Sequence, residues 1–267
     1  MERPLDEWIE AIEEKLDEDR PEDALRLAEK GVREYPESAD LLALGGDALW
    51  ALGEVRGASD AYEKAVALVP DGADLLAGLA RIRFSLCDFF GARRHAKDAL
   101  RLEERPEAVD VLSRLAERSG RMEEADRLAA RAHRIDSFYS IPHRIPEEEF
   151  RQVVEEAVDA LPDRFRDAVR NKNVAILVEA IPAEAILLEE DPPFDPAILG
   201  LYRGIPLPER TSDSQREPDT IHLFRHNLER VAGSRQELLR EIAITVYHEL
   251  GHFFGFDEEE LEELDLD

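Results

Sequence analysis

Small and bulky apolar residues recur through the first half of the chain on a long, regular beat. Ala24, Ala58, Ala92 and Ala125 stand 34, 34 and 33 residues apart. Four residues after each comes Ala28, Tyr62, Ala96 or Ala129, and three further on Gly31, Ala65, Ala99 or Ala132. Sixteen positions before each first alanine stands a bulky residue: Trp8, Leu42, Leu76 or Val109. Pro36 and Pro70 close the first two units. Residues four and three apart share one face of a helix, and a face of small residues lets a second helix approach closely. Each unit therefore predicts two antiparallel helices, and the fixed period predicts units that stack on their neighbours to bury a continuous core.

After the last unit the pattern changes. Between Asp136 and Pro146 two prolines, Phe138, Tyr139 and His143 interrupt the alanine-rich spacing, so a domain boundary is expected there. Glu147 to Ala160 reads as a helix with Phe150, Val153, Val154 and Ala157 on one face, and a shorter helix is expected after Pro162. Val174 to Val178 is a short β-branched run that predicts a buried strand. Leu199 to Leu207 and Thr220 to Phe224 are two further strand candidates, with an exposed polar loop between them over residues 208–219. The last helix is the best marked. Ser234 and Glu237 have the spacing of a capping box, apolar residues follow from Leu238 to Phe254, and Gly255 is placed to end the helix in a left-handed turn.

The first half resembles the tetratricopeptide repeat, with about four units covering roughly residues 5–138. The small residue usual in the first helix of a unit is present as Gly46 and Ala80, and is replaced by Ile12 and Ser113 in the outer units. The resemblance implies an all-α superhelix with a concave groove. That groove either takes a peptide or protein partner, or belongs to a scaffold that positions the rest of the chain. The expected organisation is thus α+β overall, with a repeat domain over residues 1–138 and a small α+β domain over residues 139–267.

Chemistry is concentrated near the end of the chain. His248 and His252 are four apart on the predicted helix, so both imidazoles leave the same face one turn apart and can hold one zinc ion. Glu249 follows the first histidine and is placed to act as general base and then general acid for a water activated by that metal. Gly251 is expected to leave room on the helix near the site. A hydrolytic zinc needs a third protein ligand and an open position. The candidates after Gly255 are Asp257, Glu258 and Glu259.

Extended as His248-x-x-x-His252-x-x-Gly255-x-x-Glu258, the segment resembles the long metzincin motif. That motif places the third ligand at Glu258, with Asp257 as runner-up. Metzincins carry a methionine beneath the metal, whereas the two methionines here, Met1 and Met122, lie far upstream. A closer resemblance, over about residues 147–262, is to the small bacterial proteins known as possible zinc metallopeptidases, a minimal zincin family. Three blocks in the family's order carry it: Leu199 to Leu207, Ile221 to Phe224, and Thr245 to Gly255. This likeness implies a compact zincin fold that hydrolyses peptide bonds with Zn2+ as cofactor, and it names no substrate. The rival reading is an inactive zincin fold serving a repeat-based interaction scaffold.

Composition narrows the setting. The chain carries 34 basic and 62 acidic residues, a net charge of −28, with both halves acidic. Such a surface repels phosphate backbones and anionic lipid, so neither nucleic acid nor membrane is an expected partner. Peptide or protein substrates, and a protein partner for the groove, are expected instead. The single cysteine, Cys87, reads as a small core residue in a helical pattern and cannot form an intrachain disulfide. No eighteen-residue apolar run or leader-like segment is seen, so a cytoplasmic location is expected. Tyr202 could donate to a developing oxyanion or simply pack on the core. His222 and His226 are expected to be ordinary histidines, and Arg210 and Arg225 to be solvated.

Overall fold

The computed structural model of the chain describes residues 3–172, 174–210, 218–257 and 260–261. Among the described residues up to 140, eight helices form four hairpins: α1 (Leu5–Asp17) with α2 (Pro21–Glu34), α3 (Ala39–Ala51) with α4 (Val55–Leu68), α5 (Ala73–Ser85) with α6 (Phe89–Leu102), and α7 (Pro106–Arg118) with α8 (Met122–Ile135). The repeated alanines Ala24, Ala58, Ala92 and Ala125 are all fully buried, as are Ala65, Ala99 and Ala132. They are the contact surface between helices that the period predicted. Tyr62 replaces the alanine found at its position in the other units. Its ring takes the space at Gly46 and Gly78, where a Cβ would fall 2.7 Å and 2.3 Å from ring atoms. Its hydroxyl donates to Asp47 at 2.8 Å, and Arg81 donates to the same carboxylate at 2.6 Å.

The turn inside each hairpin is built the same way four times. Asp19, Gly53, Cys87 and Gly120 have φ of 55°, 77°, 60° and 69°. The following amides, those of Arg20, Glu54, Asp88 and Arg121, reach back five residues to Lys15, Leu49, Arg83 and Ala116 at 2.8–2.9 Å. This is the Schellman closure, in which a left-handed residue turns the chain and satisfies the last carbonyls of the helix. Cys87 therefore lies in a turn rather than in a helix. It is half-buried, and takes a backbone conformation that glycine supplies at two of the four equivalent positions.

Beyond the repeats, α9 (Glu147–Ala160) and α10 (Asp163–Lys172) precede a three-stranded sheet of order β1-β3-β2. β1 (Ala175–Glu179) runs parallel to β3 (Thr220–Phe224) with Leu177 opposite His222. β2 (Gly200–Arg203) runs antiparallel to β3 with Leu201 opposite His222. The expected strand over Leu199 to Leu207 is shorter in the structure, because its pairing with β3 ends at Arg203 opposite Thr220, and a 3-10 turn, Leu207–Glu209, comes later. Part of the expected loop, residues 211–217, lies outside the described residues. Between the strands the chain forms the short α11 (Glu184–Leu187), and after β3 come α12 (Arg225–Val231) and α13 (Arg235–Phe254). Ile221 and Leu223 of β3 join Phe150 and Val154 of α9, Leu228 of α12, and Leu238, Ile242, Val246, Leu250 and Phe253 of α13 in one core.

The chain divides into two compact units. One contains Met1–Tyr139 together with Glu184–Pro196, and the other Ser140–Ala183 with Ala197–Asp267. The segment Glu184–Pro196, which a linear reading places in the second domain, packs with the repeats. Among the described residues no helix is long and apolar enough to cross a membrane.

Candidate metal centre

The helix that presents the histidines is held at both ends by local chemistry. Ser234 accepts a hydrogen bond from the Glu237 amide at 3.2 Å, while Glu237 accepts one from the Gly233 amide at 2.8 Å. The reciprocal arrangement satisfies two amide donors at the start of α13, as the sequence spacing promised. At its other end Gly255 has φ 92° and ψ 19°, and Phe256 donates to Gly251 at 3.0 Å. The apolar stripe of α13 points into the core, and its last two turns carry His248, Glu249 and His252.

His248 and His252 converge. Their Nε2 atoms are 3.0 Å apart and their rings are nearly perpendicular, at 84°. Two tetrahedral zinc ligands at about 2.0–2.1 Å from the metal would place their nitrogens roughly 3.3 Å apart, so this pair fits one ion with a shift of a few tenths of an ångström. Among the described residues no group of three or more metal-ligating side chains is gathered. Glu258, the expected third ligand, lies outside the described residues, as does Glu259. Asp257 has another occupation. It accepts a hydrogen bond from the Glu260 amide at 2.9 Å, and Glu260 accepts one from the Asp257 amide at 3.0 Å, a second capping box at the start of the next helical turn.

Glu249 is buried at 6% exposure, on the side of α13 that meets the sheet. A Cβ added to Gly200 of β2 would fall 2.6 Å from Glu249 Oε1 and 2.8 Å from Thr245 Cγ2. Glycine at the start of β2 is thus what allows the strand to pass directly over the carboxylate. The role expected of Gly251 is different in the structure. Leu261, fully buried, fills the space above it, with Cδ2 only 2.3 Å from where a Cβ would stand. The glycine admits a packing residue rather than leaving an opening.

Around this helix the remaining polar residues are tied into pairs. Tyr202 donates to Asp219 Oδ1 at 2.9 Å and Arg210 donates to the same oxygen at 2.7 Å. Burial, reinforced by the Asp219 carboxylate, pushes the Tyr202 phenol above its ordinary range, so it stays protonated as a donor. Phe253 lies edge-on to the Tyr202 ring at 6.2 Å, and the Arg210 guanidinium lies over Phe253 at 5.2 Å. His222 is buried against Glu179, Nδ1 to Oε2 at 2.7 Å, and stacks on Phe224. Arg225 donates to Glu229 and to the Ile145 carbonyl, both at 3.3 Å. Neither arginine is the solvated surface residue that composition alone suggests. The sequence held no signal for the Tyr202–Asp219, Arg210–Asp219 and His222–Glu179 pairs, whose members lie 17, 9 and 43 positions apart.

Comparison with known proteins matches residues 171–267 to the family model described as zincin-like metallopeptidase. The C-terminal part of the chain is therefore a zincin-like domain, and it follows a helical array with the period and hairpin geometry of tetratricopeptide repeats. A search of curated proteins finds no match. Among solved structures, the crystal structure of MamA is 22% identical with a TM-score of 0.43, covering 48% of this chain and 75% of that one. YrrB, described as a TPR protein with an unusual peptide-binding site, is 21% identical with a TM-score of 0.40 over 49% of this chain and 68% of that one. PilF of Pseudomonas aeruginosa is 17% identical with a TM-score of 0.45, over 63% and 68% respectively.

Proposed function

We propose that the zincin-like domain is a zinc-dependent metallopeptidase in which His248, His252 and Glu258 hold the metal and Glu249 is the general base. The observation that carries this reading is the convergence of the two Nε2 atoms at 3.0 Å on a helix that also presents a buried carboxylate one residue after the first histidine. When bound, zinc supplies Lewis-acid polarisation of a water molecule and of the scissile carbonyl. The chain's own residues do the rest. Glu249 takes the proton of the attacking water on its carboxylate and passes it to the departing amine. Gly200 fixes where that carboxylate sits, and the sheet side of α13 shields it from bulk water. β2 is an edge strand of the described sheet, so an extended peptide laid along it lies beside Glu249. The repeat array recruits a substrate or an adaptor, in a cytoplasmic setting.

Metal analysis of protein purified without added zinc, coupled to cleavage of a quenched-fluorescent peptide library, tests the reading. Wild type should carry one zinc per chain, His252→Ala should lose it, and Glu258→Ala should weaken binding by about tenfold or more. Glu249→Gln should keep the metal while cleavage falls by roughly 10²–10⁴-fold. A wild-type protein that takes up no zinc even on resupply would sink the peptidase reading and leave a repeat scaffold.

A further inference from the structure

The segment Glu184–Pro196 belongs to the repeat unit although its neighbours in sequence, β1 and β2, belong to the other. It reads Glu-Ala-Ile-Leu-Leu-Glu-Glu-Asp-Pro-Pro-Phe-Asp-Pro, an apolar triplet followed by acids and a proline-flanked aromatic. Leu187 is completely buried and Ile186 nearly so. The Phe194 amide donates to the Leu187 carbonyl at 3.0 Å, which folds the segment into a compact strap. Such burial gives it the character of a docked ligand rather than of a loop crossing solvent.

Its points of attachment fall on one feature of the array. Asp191 pairs with Arg56, the second residue of α4, just past the turn of the second hairpin. The Phe194 carbonyl accepts from Cys87 Sγ at 3.8 Å, and Cys87 is the left-handed residue in the turn of the third hairpin. Glu184 acts electrostatically on Arg118, the last residue of α7 before the turn of the fourth hairpin, and Asp195 on Arg114 one helical turn earlier within α7. The strap thus follows three successive hairpin turns. Along them Arg56, Cys87 and Arg118 each meet an acid or a main-chain carbonyl of the strap. The arginines are notable on a chain of net charge −28. Burial, with the charges of Asp195 and Glu184 added to it, pushes the Cys87 thiol up to about 11.

We propose that this row of hairpin turns is a peptide-recognition surface and that Glu184–Pro196 is its built-in ligand. The external partner it fits is a protein segment of the same chemistry: an apolar pair or triplet, then acidic residues, then a proline-flanked aromatic, competing with the strap for the same arginines. Apolar burial supplies the affinity, and the acids set register along the row. The idea is independent of zinc and of hydrolysis.

Cys87, the one thiol of the chain, reports on the strap directly, and its alkylation by iodoacetamide in the full-length protein is the measurement. Wild type should react slowly. Leu187→Asp should react about tenfold faster or more as the strap leaves, with the circular dichroism of the helical array unchanged. Asp191→Arg, at an exposed position that does not endanger folding, should speed the reaction by about two- to threefold, and adding Arg56→Asp should reverse that gain. A synthetic peptide spanning Glu184–Pro196, titrated onto Leu187→Asp, should restore slow alkylation, whereas the same peptide with its acids changed to amides should not. Equal rates in wild type and both variants, or failure of the acidic peptide to protect, would overturn the proposal.

Discussion

Glu229 shows how much of the second unit's stability rests on single side chains. Its carboxylate is fully buried and accepts from Arg144 at 2.8 Å, from Arg225 at 3.3 Å and from the Ile145 amide at 3.3 Å, with His226 Nδ1 at 2.9 Å. Burial alone would raise its pKa, but His226, Arg144 and Arg225 outweigh it and hold the carboxyl below the ordinary 4.5. The sign follows: this contribution is fully present above about pH 4.5 and is lost as pH falls through the lower folded value. Replacing Glu229 by glutamine leaves the partly buried Arg144 and Arg225 without their counter-charge and should cost about 3 kcal/mol in urea unfolding near pH 7. The gap between wild type and variant should narrow in acid, and a constant gap across pH would rule out the charge as its source. None of this was legible in the sequence, where Glu229 is one acid among 62. The histidine pair was legible, because its geometry depends only on helical spacing.

At the scale of elements, α13 was legible from cap to cap and the strands less so. Ser234, Glu237 and Gly255 mark its ends with groups that act on their own backbone, so neighbours in sequence suffice to define it. Ser234→Ala should cost about 1 kcal/mol through one lost cap bond. Gly255→Ala should cost about 1 kcal/mol for the left-handed backbone, and more because its Cβ would come 2.7 Å from Pro208. Thermal unfolding checks both, and a Gly255→Ala variant as stable as wild type would show that the end of α13 rearranges freely. Thr220–Phe224 forms the strand its residues predicted, while β1 begins one residue later than its apolar run. β2 ends at Arg203 because pairing to Thr220 stops there, a limit set by the partner strand. The short α11 and α12 carried too few residues for a periodic signal to emerge.

Across the whole molecule, acidic charge and modular construction dominate. With a net charge of −28, mutual repulsion works against the compact state, and screening relieves it over a Debye length of about 8–10 Å. Raising monovalent salt from about 20 to 200 mM should therefore increase the melting temperature, although the same salt weakens exposed pairs such as Arg235 with Glu149. A fall in melting temperature would mean that local pairs outweigh net repulsion. The two units also differ in what holds them together. The repeats bury small residues between successive hairpins, whereas the second unit gathers its core from α9, β3, α12 and α13 across a hundred residues of chain.

The sequence by itself determined the repeat hairpins, the capped helix and the pairing of His248 with His252. Each depends on residues a few positions apart, or on a period that recurs, and such local spacing translates directly into shared helical faces. Only the tertiary structure decided the rest. It closed Gly200 over Glu249, committed Tyr202 and Arg210 to Asp219, and filled the space at Gly251 with Leu261. It also drew Glu184–Pro196 onto the repeats, away from its sequence neighbours. These outcomes turn on which distant surfaces meet. That is a matter of shape and burial, on which residue type and spacing place no constraint.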